Sequence, residues 1–186
     1  MIIVINFYYI QYNKSGINNR SKTMAQPAIH QIDPIAMFIQ EHEEVLRHLR
    51  TLNKIAATIK EKGVDDELLK TLDQSMDFIK EEVDVHNKRE EEALFPVVER
   101  YVDGPTRSLK DDHRHLARHF ETLQDAAHAI TKNKNDQEAI QQFLLIARTI
   151  VQIMVNHIHK ENHILFPMLQ RFLTKDELRE VMRKMV

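Results

Sequence analysis

Two stretches, HNKREEEALFP at residues 86–96 and HIHKENHILFP at residues 157–167, are one pattern written twice. Each opens on histidine, carries glutamate four places later and closes on Leu-Phe-Pro. His86 to His157 and Glu90 to Glu161 are both separated by 71 residues. The same offset aligns EHEEVLRHLRTL (residues 41–52) with DHRHLARHFETL (residues 112–123) without a gap. A chain with this internal match is expected to fold as two copies of one unit, each burying its apolar side against the other.

The unit reads as a pair of helices. Asp33-Pro34 is an N-cap followed by proline at the first helical position, and Gly63 supplies a stop. Between them an apolar stripe runs through Phe38, position 42, Val45, Leu49, Leu52, Ala56 and Ile59, in steps of four and three. A second helix starts near Asp66 and carries Leu69, Leu72, Met76, Ile79, Val83, positions 86 and 90, and Leu94. Pro96 should end it, because proline disfavours helix in the residue before it. After Gly104-Pro105 a third helix carries Leu109, position 113, Leu116, Phe120, Leu123, Ala127 and Ile130. The fourth begins around Asp136, with Ile140, Phe143, Ala147, Ile150, Met154, positions 157 and 161, and Ile164. Thr174 and Glu177 have the spacing of a capping box and announce a short fifth helix.

With 186 residues, three glycines and five prolines, the chain suits one helical domain. The expected fold is all-α: an antiparallel up-down-up-down four-helix bundle of two helical-hairpin repeats over residues 33–173, plus a short C-terminal helix over 174–186. Residues 1–32 stand apart as an extension, disordered or wrongly included. The Ile-, Asn- and Tyr-rich composition of residues 1–23 is what AT-rich codons give, and Met24 is the expected initiator. The opening MIIVINFYYI is too short to span a bilayer and lacks the features of a signal peptide. A cytoplasmic protein without a membrane partner is expected. A formal net charge of −2 offers no basic field for nucleic acid.

The positions left unnamed on the stripes are His42, His86, Glu90, His113, His157 and Glu161. A lone histidine at such a place is ordinarily a hydrogen-bonded core residue. A glutamate there is different, because carboxylates are almost never fully buried unless paired. At 1.5 Å per residue, all four histidines fall about 10 to 14 Å from the same end of the bundle. Each glutamate lies one turn from a histidine and shares its face. Six polar groups in one interior layer would be costly to desolvate, and bound cations offset that cost. Four imidazoles and two carboxylates suit two metals, with two histidines each and both carboxylates bridging. Imidazole suits iron, zinc, copper or nickel, and the carboxylates move the choice toward iron or manganese. The chain has no cysteine, so thiolate sites and disulfides do not enter. The remaining histidines, His30, His48, His115, His119, His128, His159 and His163, are expected in solvated or outer positions.

This ordered set resembles a hemerythrin-like HHE cation-binding domain over residues 34–173, carried by His42 in EHEEVL, His86-x-x-x-Glu90 with LFP, His113 in DDHRHL, and His157-x-x-x-Glu161 with LFP. The resemblance implies two non-haem iron ions with an oxo or hydroxo bridge, ahead of manganese or zinc. It places one iron on His42 and His86 and the other on His113 and His157, bridged by Glu90 and Glu161. Oxygen-carrying members have a fifth histidine one turn after the first ligand of the third helix; here that place is Ala117, and its repeat partner is Leu46. They also have an aspartate where this chain has Glu161. The symmetric set of four histidines and two glutamates is most similar to the repair-of-iron-centres proteins, which usually add a small cysteine-bearing N-terminal domain not found here.

The expected function is a di-iron protein that reacts with or senses O₂, NO or peroxide, in stress response or iron handling. The alternatives are reversible O₂ storage or transport, and a structural bundle with a vestigial site. Peroxidase-like, catalase-like or iron-centre repair activity is chemically accessible, but no residue is designated as a proton donor. Glu91 and Glu92 read as a solvated charge run, Tyr101 as core or end packing, and the fifth helix as a bundle cap or a partner surface.

Overall fold

The computed structural model describes residues 33–102 and 104–185, so the expectations for residues 1–32, Met24 and His30 among them, lie outside it. Asp33 caps the first helix, α1 (Pro34–Lys62), by accepting the backbone N–H of Ile35 at 2.9 Å. At the other end Gly63 adopts a φ of 81°, and its N–H closes onto the Ile59 carbonyl at 3.0 Å. A Cβ on Gly63 would meet nothing within 4 Å, so the demand for glycine lies in the backbone angle alone. Gly63→Ala should therefore lower the unfolding free energy by about 1 kcal/mol in urea titrations, with helix content unchanged.

Asp65 caps α2 (Asp66–Arg89) through the Leu68 N–H at 2.7 Å, and Asp136 caps α4 (Gln137–Lys160) through the Ala139 N–H at 3.0 Å. Between these lies α3 (Pro105–Lys132). The last helix, α5 (Lys175–Met185), starts with the expected capping box: Thr174 N–H donates to Glu177 Oε2 at 2.9 Å, and Glu177 N–H donates to Thr174 Oγ1 at 3.3 Å. No strand occurs among the described residues.

Neither Pro96 nor Pro167 ends its helix. Instead α2 passes through a π turn, Glu90–Leu94, into Phe95–Val98, and α4 passes through Glu161–Leu165 into Phe166–Phe172. Phe95 and Phe166 each send the backbone N–H five residues back, to the carbonyls of Glu90 and Glu161. Proline lacks an N–H and its ring crowds the carbonyl four residues earlier; a locally widened turn relieves both without breaking the rod. The extra residue also shifts the phase of the apolar stripe. Ile164, expected inside, is 59 % exposed, while Leu165 and Phe166 are buried.

α1 packs against α2 and α4, and α3 against α4 and α2, as in a four-helix bundle. The main core contains Leu52, Leu72, Ile79, Leu123, Phe143 and Ile150, all fully buried. A second apolar cluster lies at the other end, where Ile35, Phe38, Leu94, Phe95, Phe166 and Val181 meet. Val181 and Met185 bring α5 into that cluster, so the fifth helix covers the bundle end. Tyr101 serves end packing: it is half-exposed and donates its hydroxyl to Glu177, while Arg100 forks onto Glu180 at 2.7 and 3.0 Å. The stretch Gln137–Phe172 is long and apolar enough by composition to cross a membrane. Its inner face nevertheless packs into the bundle through Phe143, Ala147, Ile150 and Met154, and carries buried His157 and Glu161.

Candidate metal centre

The six polar stripe residues occupy the gap between the two apolar clusters. His42 and His113 lie early in α1 and α3, His86 and His157 late in α2 and α4, and each π turn begins on a glutamate. All six are buried, and Glu90 and Glu161 are wholly inaccessible. The donor atoms of His86, Glu90, His157 and Glu161 lie within 4.8 Å of one another.

The rings meet in pairs. His42 Nε2 is 3.2 Å from His86 Nε2, and His113 Nε2 is 3.3 Å from His157 Nε2. Glu90 Oε2 reaches one ring of each pair, His86 at 3.6 Å and His113 at 3.3 Å. Glu161 does the same with its two oxygens, placing Oε1 3.2 Å from His157 Nε2 and Oε2 3.1 Å from His42 Nε2. Two donors about 2.1 Å from one ion stand about 3.0 Å apart at a right angle and about 3.4 Å apart at the tetrahedral angle. The paired nitrogens have that separation, and each carboxylate spans the two pairs.

The other ring nitrogens fix which way the donors point. His86 Nδ1 donates to Glu41 Oε2 at 2.9 Å, His113 Nδ1 to Glu91 Oε1 at 2.7 Å, His157 Nδ1 to Asp112 Oδ2 at 3.3 Å, and His42 Nδ1 to Asn162 Oδ1 at 2.8 Å. With every Nδ1 protonated outward, the neutral rings present four Nε2 lone pairs inward. The four oxygens of Glu90 and Glu161 are buried without a hydrogen-bond donor. An inward ring of lone pairs and unpartnered carboxylate oxygens is a donor set matched to cations and costly without them.

Protonation reflects that tension. Burial, and then the charge of Glu161, push the Glu90 carboxyl well above its usual range. Burial would raise Glu161 as well, but the imidazoles of His157 and His42 beside it hold it well below. Burial opposes charge on His157, yet Asp112 and Glu161 raise it to about 9. Burial, followed by the charge of His157, lowers His113 to about 4. Without a metal, like groups in one layer are thus driven to opposite protonation states.

The repeated Leu-Phe-Pro gains a role here. Phe166 stacks on His42 with centroids 5.6 Å apart, Phe95 stacks on His113 at 5.9 Å, and Phe38 meets His86 edge-on at 5.3 Å. The π turns bring Phe95 and Phe166 against the imidazoles, and Phe38 of α1 adds a third apolar face.

The outer acceptors were not among the residues singled out from sequence, and Glu91, read as part of a solvated run, bonds a site histidine. Their signal was the repeat itself: Glu41 and Asp112, and Glu91 and Asn162, are each 71 residues apart, as are the cations Arg89 and Lys160 that bind Glu41 and Asp112. The remaining described histidines stay outside the cluster. His48 stacks on Phe78 at 3.8 Å, His159 faces His163 at 4.5 Å on the outside, and His115 and His128 are exposed.

Residues 33–184 match the family model of the hemerythrin HHE cation-binding domain. No curated protein gives a significant match to the chain.

Proposed function

Since the chain belongs to the hemerythrin HHE cation-binding family, we propose that it is a non-haem di-iron protein that reacts with or senses O₂, NO or peroxide, in stress response or iron handling in the cytoplasm. One iron is held by His42 and His86, the other by His113 and His157, with Glu90 and Glu161 shared between them. The observation that carries this reading is the inward aim of four Nε2 atoms and four unpartnered carboxylate oxygens. Two imidazoles with carboxylate oxygens form a donor set suited to iron, ahead of manganese or zinc.

Bound iron supplies reversible one-electron chemistry and open positions for a small ligand. The chain's residues do the rest. Glu41, Glu91, Asp112 and Asn162 hold the rings with Nδ1 outward and Nε2 turned to the centre. Phe38, Phe95 and Phe166 keep bulk water from the layer. His42 with His86, and His113 with His157, would each offer an ion two nitrogens, and Glu90 and Glu161 would supply carboxylate oxygens to both. With Ala117 in place of a fifth histidine, open positions remain on both ions, and this favours reactivity over reversible oxygen carriage.

Anaerobic iron loading followed by metal counting and absorption spectroscopy tests the assignment. The wild type should hold two irons per chain, and His86→Ala should lose at least one. A variant with full iron and an unchanged spectrum would refute the ligand set. On admitting O₂, rapid irreversible oxidation supports the reactive reading, whereas reversible spectral cycling supports storage or transport.

A further inference from the structure

We infer that the two metal positions are inequivalent, and that the His113/His157 position fills first because Glu91 backs it where Asn162 backs the other. The inference rests on the di-metal reading above and concerns residues outside the direct ligand set.

Nearly everything around the layer is matched between the two halves. Glu41 takes the His86 Nδ1–H and pairs with Arg89 at 2.5 Å; Asp112 takes the His157 Nδ1–H and pairs with Lys160. Each half therefore has one acceptor carboxylate neutralised by one cation. Phe166 and Phe95 stack equally on His42 and His113. The replacement of Phe38 by Leu109 changes bulk and brings no charge.

The fourth acceptor breaks the match. Glu91 Oε1 stands 2.7 Å from His113 Nδ1, and no lysine or arginine pairs with Glu91 among the described residues. At the equivalent place Asn162 Oδ1 stands 2.8 Å from His42 Nδ1. A carboxylate draws the Nδ1 proton more strongly than an amide does, which makes the opposite nitrogen a better donor. It also adds a full negative charge one ring away from the cation, where the amide adds only a dipole. The His113/His157 position thus has one more formal negative charge behind it.

Changing such an outer partner typically shifts metal affinity about 10- to 100-fold. The Glu91 side chain is 42 % exposed, so water screens part of its charge and the lower end, about tenfold, is expected. The same residues explain why a sequence repeat accurate enough to set six ligands can still yield two different sites.

Anaerobic titration of the metal-free protein with Co(II), followed by calorimetry and by the visible d–d bands, reads the two steps. The wild type should bind two equivalents in steps separated about tenfold. At one equivalent, paramagnetically shifted proton resonances should come from His113 and His157 before His42 and His86. Glu91→Asn and Asn162→Glu each make the halves alike, the first by weakening the tight step and the second by strengthening the weak one. Each new side chain is already accommodated at the equivalent place in the other half, and circular dichroism checks that both variants fold. Convergence of the two steps in either variant supports the inference. Equal steps in the wild type, earlier shifts from His42 and His86, or a step ratio unmoved by both variants would overturn it while leaving the di-metal reading intact. Failure to bind any Co(II) would remove both.

Discussion

Glu90→Met should make the metal-free protein more stable and unable to hold its metal pair. Glu90 is wholly buried, and neither of its oxygens has a hydrogen-bond donor. Burial and the neighbouring Glu161 drive its carboxyl toward the neutral acid, which still leaves polar atoms in an apolar gap. Methionine is close in volume, fills gaps flexibly and adapts to the adjoining phenylalanines. Replacing buried ionic groups with apolar ones of similar size is often stabilising, by about 1 to 4 kcal/mol, and the upper part of that range is expected here. Urea unfolding in a chelator should therefore show a higher midpoint for the variant than for the wild type. Iron or Co(II) added to the variant should give no two-equivalent binding. A less stable variant would mean that Glu90 is well satisfied in the metal-free protein, and the cation-matched layer would lose its main physical support.

Metal removal should produce the second large effect, in magnitude and in pH dependence. An ion bound only by the folded chain adds about 4 kcal/mol for each site at a thousandfold excess over its dissociation constant. The metal-free protein should then lose stability on both sides of a narrow optimum. Toward acid, the unfolded chain protonates His113 near 6.5, whereas the folded chain holds it to about 4, so stability falls as pH drops through that interval. Glu161, depressed by the neighbouring imidazoles of His157 and His42 against the opposing effect of burial, adds a further loss below the ordinary carboxylate range. Toward alkali the sign reverses. His157 is raised to about 9, so its contribution is complete below 6.5 and disappears as pH rises through 9. In the loaded protein the Nε2 lone pairs are engaged by metal, and the alkaline loss tied to His157 should vanish. Protons compete with metal, and the acid loss should steepen. Urea midpoints measured across pH with chelator and with metal check both limbs. An alkaline limb of equal depth in the two series would contradict the assignment of His157 Nε2 as a donor.

Helix identity, helix order and the six inward polar residues were legible because they depend on local spacing. A 3.6-residue period places position 42 between Phe38 and Val45 on the core side whatever the rest of the chain does, and the offset of 71 residues matches each half-site to its twin. Caps at Asp33 and at Thr174 with Glu177 are local as well, since each is made by atoms within three residues. Periodicity placed Leu94 inside correctly but misplaced Ile164 beyond Glu161. An α-helical stripe through Ile164 cannot register a π turn that inserts one residue, so the helices pass Pro96 and Pro167 and bury Phe95 and Phe166 instead.

By itself, the sequence determined an all-helical chain, its two-fold repeat and the histidines and glutamates that face inward, because those properties follow from spacing along one helix. Only the tertiary structure decided which nitrogen of each ring faces the centre. That choice is made by Glu41, Glu91, Asp112 and Asn162, all of which act from another helix, 45 residues away for Glu41 and Asp112 and 120 for Asn162. Glu91 reaches His113 across the α2–α3 connection from 22 residues away. A helical period relates residues a turn or two apart; it has no bearing on which side chain of a neighbouring helix accepts a particular N–H, and at this site that acceptor sets which ring nitrogen faces inward.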